Sequence, residues 1–175
     1  MLILVRHAMP TASPEVPPRA WPLSPAGITA SERLRGSLPS GAYLVSSTEP
    51  KAWHTLGGQA AEVIRDARFD EISRGEEPWD STFRVNRRRY VEGTSQPGWE
   101  RHTVVAARFQ AGATYHQVAA AGRPLVIATH GMALTTWLVV CGVIEPRLAG
   151  AFWDELQFPD CFVLDLDARS VHRYP

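Results

Sequence analysis

Four aliphatic residues, Leu2-Ile3-Leu4-Val5, run straight into Arg6-His7-Ala8, and this junction restricts the fold more than any other stretch. An unbroken apolar run of this length suits a strand covered on both faces, the kind found in sheets flanked by helices. Its end carries a cation and an imidazole to where open α/β sheets bind ligands, beyond the carboxyl ends of the strands. Leu125-Val126-Ile127-Ala128-Thr129 repeats the pattern, running into His130-Gly131 and then a helical segment. Taken alone, Arg6-His7 reads as a capped strand end and His130-Gly131 as a core histidine ahead of a helix. Two buried strands that each deliver a histidine at the same end point to one pocket holding both.

The rest of the chain supplies the layers such a sheet needs. Residues 9–22 hold five prolines and form an irregular loop. Ser24-Pro25 reads as an N-cap with proline at the first helical position, opening a helix to about Leu34. Residues 42–45 are a second strand. Ala52, Trp53, Leu56, Ala60, Val63 and Ile64 keep a helical period, which predicts a helix from about Pro50 to Arg65. A third strand is expected at 67–72. Residues 73–98 are polar and punctuated by Gly and Pro, with a short helix at 81–92. A longer helix covers about 99–121, and another covers 131–141. Residues 161–166 and 170–174 read as two strands about a turn at 167–169. The expected architecture is a single α/β domain over 1–175. It is a three-layer sandwich with a mostly parallel central sheet and an antiparallel C-terminal edge.

Two further segments sit between the histidines. They are Ser46-Ser47-Thr48-Glu49-Pro50-Lys51-Ala52-Trp53-His54-Thr55 and Phe69-Asp70-Glu71-Ile72-Ser73-Arg74-Gly75, with Leu23-Ser24-Pro25-Ala26-Gly27 ahead of both. In this order, over residues 1 to about 140, the motifs resemble those of the histidine phosphatase superfamily, the phosphoglycerate-mutase-like proteins, and of its small phosphatase-type members. The family opens on a strand and Arg-His-Gly, continues with Ser-Ser-x-x-x-Arg-Ala-x-x-Thr and Leu-x-Glu-x-x-x-Gly, and closes on His-Gly. Lys51 stands where the family has arginine, and Ala8 where it has glycine.

The resemblance implies phosphomonoester hydrolysis through a phosphohistidine, with His7 as the nucleophile, Glu71 as the general acid and His130 as the second catalytic histidine. Histidine suits the part because its ordinary pKa leaves much of it neutral at pH 7, and nearby cations favour the neutral form further. Arg6, Lys51, His130, the amide of Gly131 and hydroxyls near Ser13 would hold the phosphoryl oxygens. An ammonium is a point charge rather than a planar fork, so Lys51 reads either as a phosphate ligand in the first turn of its helix or as a solvated surface lysine. Among the acids near Glu71, Asp70, Glu76 and Glu77 stay open as proton donors. Arg84, Arg87 and Arg88 share one helical face beside Arg89, a solvated face before it is a basic rim for an acidic partner. Trp79, Tyr90 and Trp99 read equally as ring-stacking and packing residues. His54 reads as a helix-surface residue, and His102, His116 and His172 carry no pattern.

Other functions are excluded or left as rivals. Eighteen basic and eighteen acidic side chains cancel, so overall charge supports neither nucleic-acid nor anionic-membrane binding. The apolar run broken at Arg6 is too short for a signal peptide, and no stretch approaches a membrane span. Cys141 and Cys161 have no metal-ligand or redox spacing and read as free thiols of a cytoplasmic protein. The histidines and carboxylates lack metal-ligand spacing, so neither metal nor other cofactor is expected. A mutase-type phosphotransferase and a non-catalytic phospholigand-binding member are the rivals. The resemblance implies a small phosphorylated metabolite as substrate, but the sequence does not name it, and nucleotides and phosphohistidine proteins stay open beside it. Oligomeric state is not encoded in any motif.

Overall fold

Alternation along β1 (Leu2–Arg6) decides how the molecule is layered, because successive strand side chains point to opposite faces. The structure, a computed structural model, describes all residues except 76, 78, 79 and 81. Six strands form one sheet in the order β3-β2-β4-β1-β5-β6, with β2 at Tyr43–Ser46, β3 at Ile64–Arg65, β4 at Leu125–Thr129, β5 at Asp160–Asp165 and β6 at Ser170–Arg173. β1 pairs parallel with β4 in the register Leu2 to Leu125 and Arg6 to Thr129, and β2 pairs parallel with both β4 and β3. β5 joins β1 antiparallel and β6 closes that edge. Both histidine-bearing strands are therefore central, and their carboxyl ends lie side by side.

Leu2 and Leu4 share one core with Leu125 and Ile127, under α3 (Thr82–Val91), α4 (His102–Ala119), α5 (Gly131–Val140) and α6 (Ala149–Glu155). Ile3 and Val5 face the other core, with Val126, Ala128, Ala52 and Leu56, under α1 (Pro25–Ser37) and α2 (Pro50–Thr55). The three-layer sandwich with its mostly parallel sheet and antiparallel C-terminal edge is the expected one. Phe109 of α4 stacks on Trp137 of α5 at 4.5 Å between ring centroids, packing the two helices together within the larger core.

Several elements depart from the sequence expectation. α2 stops at Thr55 and is followed by a 3₁₀ turn at Gly58–Ala61. Gly57 and Gly58 both have positive φ, 105° and 61°, a conformation that ends a helix. The helical period running on to Ile64 belongs to a turn and to strand β3. Residues 67–72 are no strand: Ala67–Phe69 form a 3₁₀ turn capped by the Asp66 carboxylate, and the chain then runs irregularly to Glu71. α6 had no counterpart in the sequence reading.

The start of α1 is tied to the loop after His7. Ser24 caps the helix by accepting from the Gly27 amide at 3.0 Å, while its own amide and hydroxyl donate to the Met9 carbonyl at 2.9 and 3.1 Å. A β-carbon on Gly27 would lie 2.2 Å from that carbonyl oxygen. Glycine is required here by a close approach.

Candidate active site

At the carboxyl end of β1 the backbone is held on both sides before any side chain acts. The His7 amide donates to the Thr129 carbonyl at 3.0 Å, and the Ala8 amide donates to Thr55 Oγ1 at 2.9 Å. Thr55 in turn donates to the Lys51 carbonyl at 2.7 Å, so one hydroxyl joins the histidine strand to α2. Ala8 is buried without positive φ, so its methyl group is tolerated in place of a glycine.

His7 Nδ1 lies 2.8 Å from the Ala8 carbonyl oxygen. A carbonyl only accepts, so Nδ1 carries the proton and Nε2 the lone pair. Nε2 makes no hydrogen bond among the described residues. Burial, then His130, Lys51 and Arg6, hold the imidazole well below its ordinary pKa, against a smaller opposing effect of the Ala8 carbonyl. His130 lies beside it, ring centroids 5.1 Å apart. Its Nε2 is 2.8 Å from Ser47 Oγ. That hydroxyl donates to Asp70 Oδ1 at 2.7 Å and accepts from the Glu49 amide, so His130 must donate to it. Nδ1 of His130 then carries the lone pair, buried and without a partner among the described residues. Burial, then Lys51, Arg74, Arg108 and Arg6, push this ring too well below its ordinary pKa.

Arg6 is braced from β5's side of the sheet. Its Nη1 donates to the Leu156 carbonyl at 2.6 Å and its guanidinium carbon lies 3.5 Å from the centroid of the Phe158 ring. Burial lowers its pKa to about 10, and its Nε has no partner among the described residues. Gly131, the first residue of α5, lets this side chain and Trp153 approach: a β-carbon would lie 3.3 Å from Arg6 Nε and 3.1 Å from Trp153 Nε1.

Glu71 reaches the start of α5. Its carboxylate accepts from the amides of Ile72 at 3.0 Å, Ala133 at 2.9 Å and Met132 at 3.4 Å. His130 is the N-cap residue but makes no side-chain cap, and the Glu71 carboxyl accepts from the free amides of that turn instead. Lys51 is not a solvated surface lysine. It is 5 % exposed, and its ammonium donates to the Pro18 carbonyl at 2.7 Å and to Glu49 Oε2.

These groups line a cleft of about 1190 Å³ that opens between the loop after β1 and the segment ahead of α3. Arg6, His7, Lys51, Glu71, Gly131 and Ser13 all border it, and His130 lies directly behind His7. Ser13 stands on the wall, its Oγ accepting from the Glu15 amide at 3.2 Å. Among the described residues no group of three or more His, Cys, Asp or Glu side chains is arranged to hold a metal ion, and no helix is long and apolar enough to cross a membrane.

Arg84, Arg88 and Arg89 of α3 are exposed, as a solvated face requires, and only Arg87 is half-buried. Arg84 and Arg88 pair with Asp154 of α6, and Arg87 shares Glu77 with Arg74 on the cleft wall. Tyr90 is a packing residue, buried, stacked on His102 and donating to the Glu100 carbonyl, with Trp99 packed against it. His54 is exposed beside Trp53. His116 is buried and bonded to Asp66 at 2.9 Å. Glu76 and Trp79 lie outside the described residues. Glu49, Phe158 and the cap-like role of Asp70 on Ser47 and Thr48 were missed. Glu49 and Asp70 lie inside motifs already singled out, whereas nothing local marks Phe158.

Comparison with known proteins agrees with this geometry. The family model described as Histidine phosphatase superfamily (branch 1) matches residues 2–151. No curated protein matches the chain at a significant level. Solved structures do. The YhfR protein of Bacillus stearothermophilus superimposes with a TM-score of 0.71 at 18 % identity, covering 98 % of this chain and 94 % of that one. A mycobacterial glucosyl-3-phosphoglycerate phosphatase gives 0.68 at 18 % identity, with 98 % and 95 % covered. A mutant phosphoserine phosphatase from Entamoeba histolytica, in complex with phosphoserine, gives 0.66 at 14 %, with 99 % and 94 % covered. At these identities the likeness is one of fold.

Proposed function

Because the chain belongs to the histidine phosphatase superfamily, branch 1, we propose that it hydrolyses the phosphomonoester of a small phosphorylated metabolite through a phosphohistidine at His7, without a metal ion. The observation that carries this reading is the His7 imidazole, whose Nδ1 is committed to the Ala8 carbonyl while burial and neighbouring cations keep the ring neutral. A neutral imidazole with its Nε2 lone pair available is a competent phosphoryl acceptor.

Nε2 attacks phosphorus; the N–P bond forms as the P–O bond to the alcohol breaks, and the leaving oxygen takes a proton from Glu71. Arg6, Lys51, the Gly131 amide and the Ser13 hydroxyl stabilise the phosphoryl oxygens as charge spreads over them, while the neutral His130, its one N–H given to Ser47, packs behind His7. Water then attacks the phosphohistidine, gives its proton to the Glu71 carboxylate, and releases inorganic phosphate and neutral His7. Cys141 and Cys161 are free, which suits a reducing cytoplasm.

Rapid quench with labelled substrate should trap an acid-labile, base-stable phosphoenzyme that is absent from His7→Ala, and turnover should survive exhaustive chelation. Substantial turnover by His7→Ala would remove His7 as the nucleophile. Activity abolished by chelation and restored by a divalent ion would overturn the metal-independent mechanism.

A further inference from the structure

The buried carboxylate of Glu49 touches more of the site than any residue proposed to act in it. Only 8 % exposed on the cleft wall, it pairs through Oε2 with the Lys51 ammonium. Oε1 accepts from the Glu71 amide at 3.0 Å and lies 3.6 Å from His130 Nε2. Its own amide donates to Ser47 Oγ, which His130 also contacts. Glu49 is the N-cap residue of α2, yet its side chain caps none of that helix's free backbone amides. It turns inward instead.

An ammonium is a compact charge on a flexible four-carbon stem and has three donors, whereas an arginine carries its donors in a rigid fork. Here one donor goes to Pro18 and one to Glu49, which fixes the ammonium in space and leaves the third for a ligand. The same carboxylate sets a negative charge beside that third donor. We propose that Glu49 is a positioning residue, which aims Lys51 at the phosphoryl group and, by compensating its charge, keeps the site's hold on inorganic phosphate weak enough for product to leave. This rests on the reading of Lys51 as a phosphate ligand.

Two substitutions separate charge from geometry. Glu49→Gln keeps the shape and removes the charge; Glu49→Asp keeps the charge and shortens the reach by one methylene. Calorimetric titration with inorganic phosphate, which needs no turnover, should find Glu49→Gln binding at least about tenfold tighter than the parent, since an uncompensated buried cation attracts an anion strongly. Most of that gain should vanish in Glu49→Gln/Lys51→Ala. Glu49→Asp should bind phosphate within about threefold of the parent. Its kcat on p-nitrophenyl phosphate should nevertheless fall at least about tenfold at nearly constant KM, the signature of an interaction felt in the transition state.

A purely structural Glu49 would lower the melting temperature of both variants and leave phosphate affinity where it was. Phosphate binding by a folded Glu49→Gln that is unchanged or weaker overturns the proposal. Should that variant not fold, parental kcat in Glu49→Asp overturns it instead. Phosphate affinity unchanged by Lys51→Ala alone would refute the placement of Lys51. Absence of turnover from the parent, with the binding pattern intact, would refute the hydrolase reading and leave Glu49 in its role.

Discussion

Burying two neutral histidines beside cations ties the stability of this fold to pH. His7 and His130 are both held well below the ordinary 6.5 in the native state and return to about that value when the chain unfolds. Between the low native value and 6.5 the unfolded chain binds more protons than the native one, so stability falls as pH falls. Well above 6.5 both states carry neutral rings and the effect fades. Each proton is worth about 1.4 kcal/mol per pH unit at full slope. Half of the unfolded rings are already protonated at pH 6.5, so from there to pH 5.0 each histidine should remove at most about 1.7 kcal/mol from a native stability of about 5–15 kcal/mol. His7→Gln isolates one of the two. Urea unfolding at pH 7.5, 6.5 and 5.0 should show the parent losing up to about 1.7 kcal/mol more than the variant across the lower interval and only a few tenths across the upper one. A constant difference between the two proteins over the whole range would falsify the claim that His7 is buried in its neutral form.

The close approach at Gly27 gives a second prediction. Helix propensity alone makes Gly27→Ala stabilising by up to about 1 kcal/mol, but its β-carbon would sit 2.2 Å from the Met9 carbonyl oxygen. We expect a net loss of about 1–3 kcal/mol in thermal or urea melts; a gain in stability would mean that α1 does not rest on this loop. For Glu71→Gln, phosphoenzyme formation from an alkyl phosphate should slow by about 10²–10⁴-fold and much less with p-nitrophenyl phosphate, followed in a single turnover. Equal losses on both would make Glu71 a structural cap of α5, with Glu76 the next acid to test ahead of Glu77, which Arg74 and Arg87 hold ionised. Lys51→Ala should cost on the order of 2–4 kcal/mol of transition-state stabilisation. It should also destabilise the fold by about 3–5 kcal/mol because Glu49 is left buried and unpaired. Lys51→Arg should retain more of both, and parental melting together with parental kinetics in Lys51→Ala would dissolve the pair.

The strands that build the site were legible because each is an unbroken aliphatic run ending at a histidine, a pattern that few other structures accommodate. The N-cap at Ser24 was legible for the same kind of reason, since a hydroxyl ahead of proline has few other uses. α2 was read too long because the apolar period does continue past Thr55; only the left-handed backbone of Gly57 and Gly58 interrupts it, and that is a backbone property which periodicity does not register. The segment at 67–72 alternates plausibly as a strand but gives its backbone groups to side chains rather than to a ladder, the Arg68 amide to the Asp66 cap and the Phe69 carbonyl to the distant Thr129 hydroxyl. α6 has seven residues, too few to establish a period. In the site, Lys51 and Glu71 were legible as residue types at fixed spacings. Glu49 was not, because an acidic N-cap ordinarily serves its own helix. Phe158 and the Leu156 carbonyl reach Arg6 from about 150 residues away, through pairing of β5 with β1 that no local pattern encodes.

That pairing governs when, during synthesis, the candidate site can first exist. The strand carrying His7 is translated more than a hundred residues before either of its neighbours in the sheet, β4 and β5. At ribosomal speeds of about 5–20 residues per second, β1 waits on the order of ten seconds for β4 and longer for β5. During that interval an aliphatic strand with two open edges is exposed, the kind of segment chaperones hold and aggregates recruit. A chain released before residue 160 would carry every residue assigned to the chemistry and still lack the strand that braces Arg6. Such a fragment should be insoluble or chaperone-bound rather than partly active.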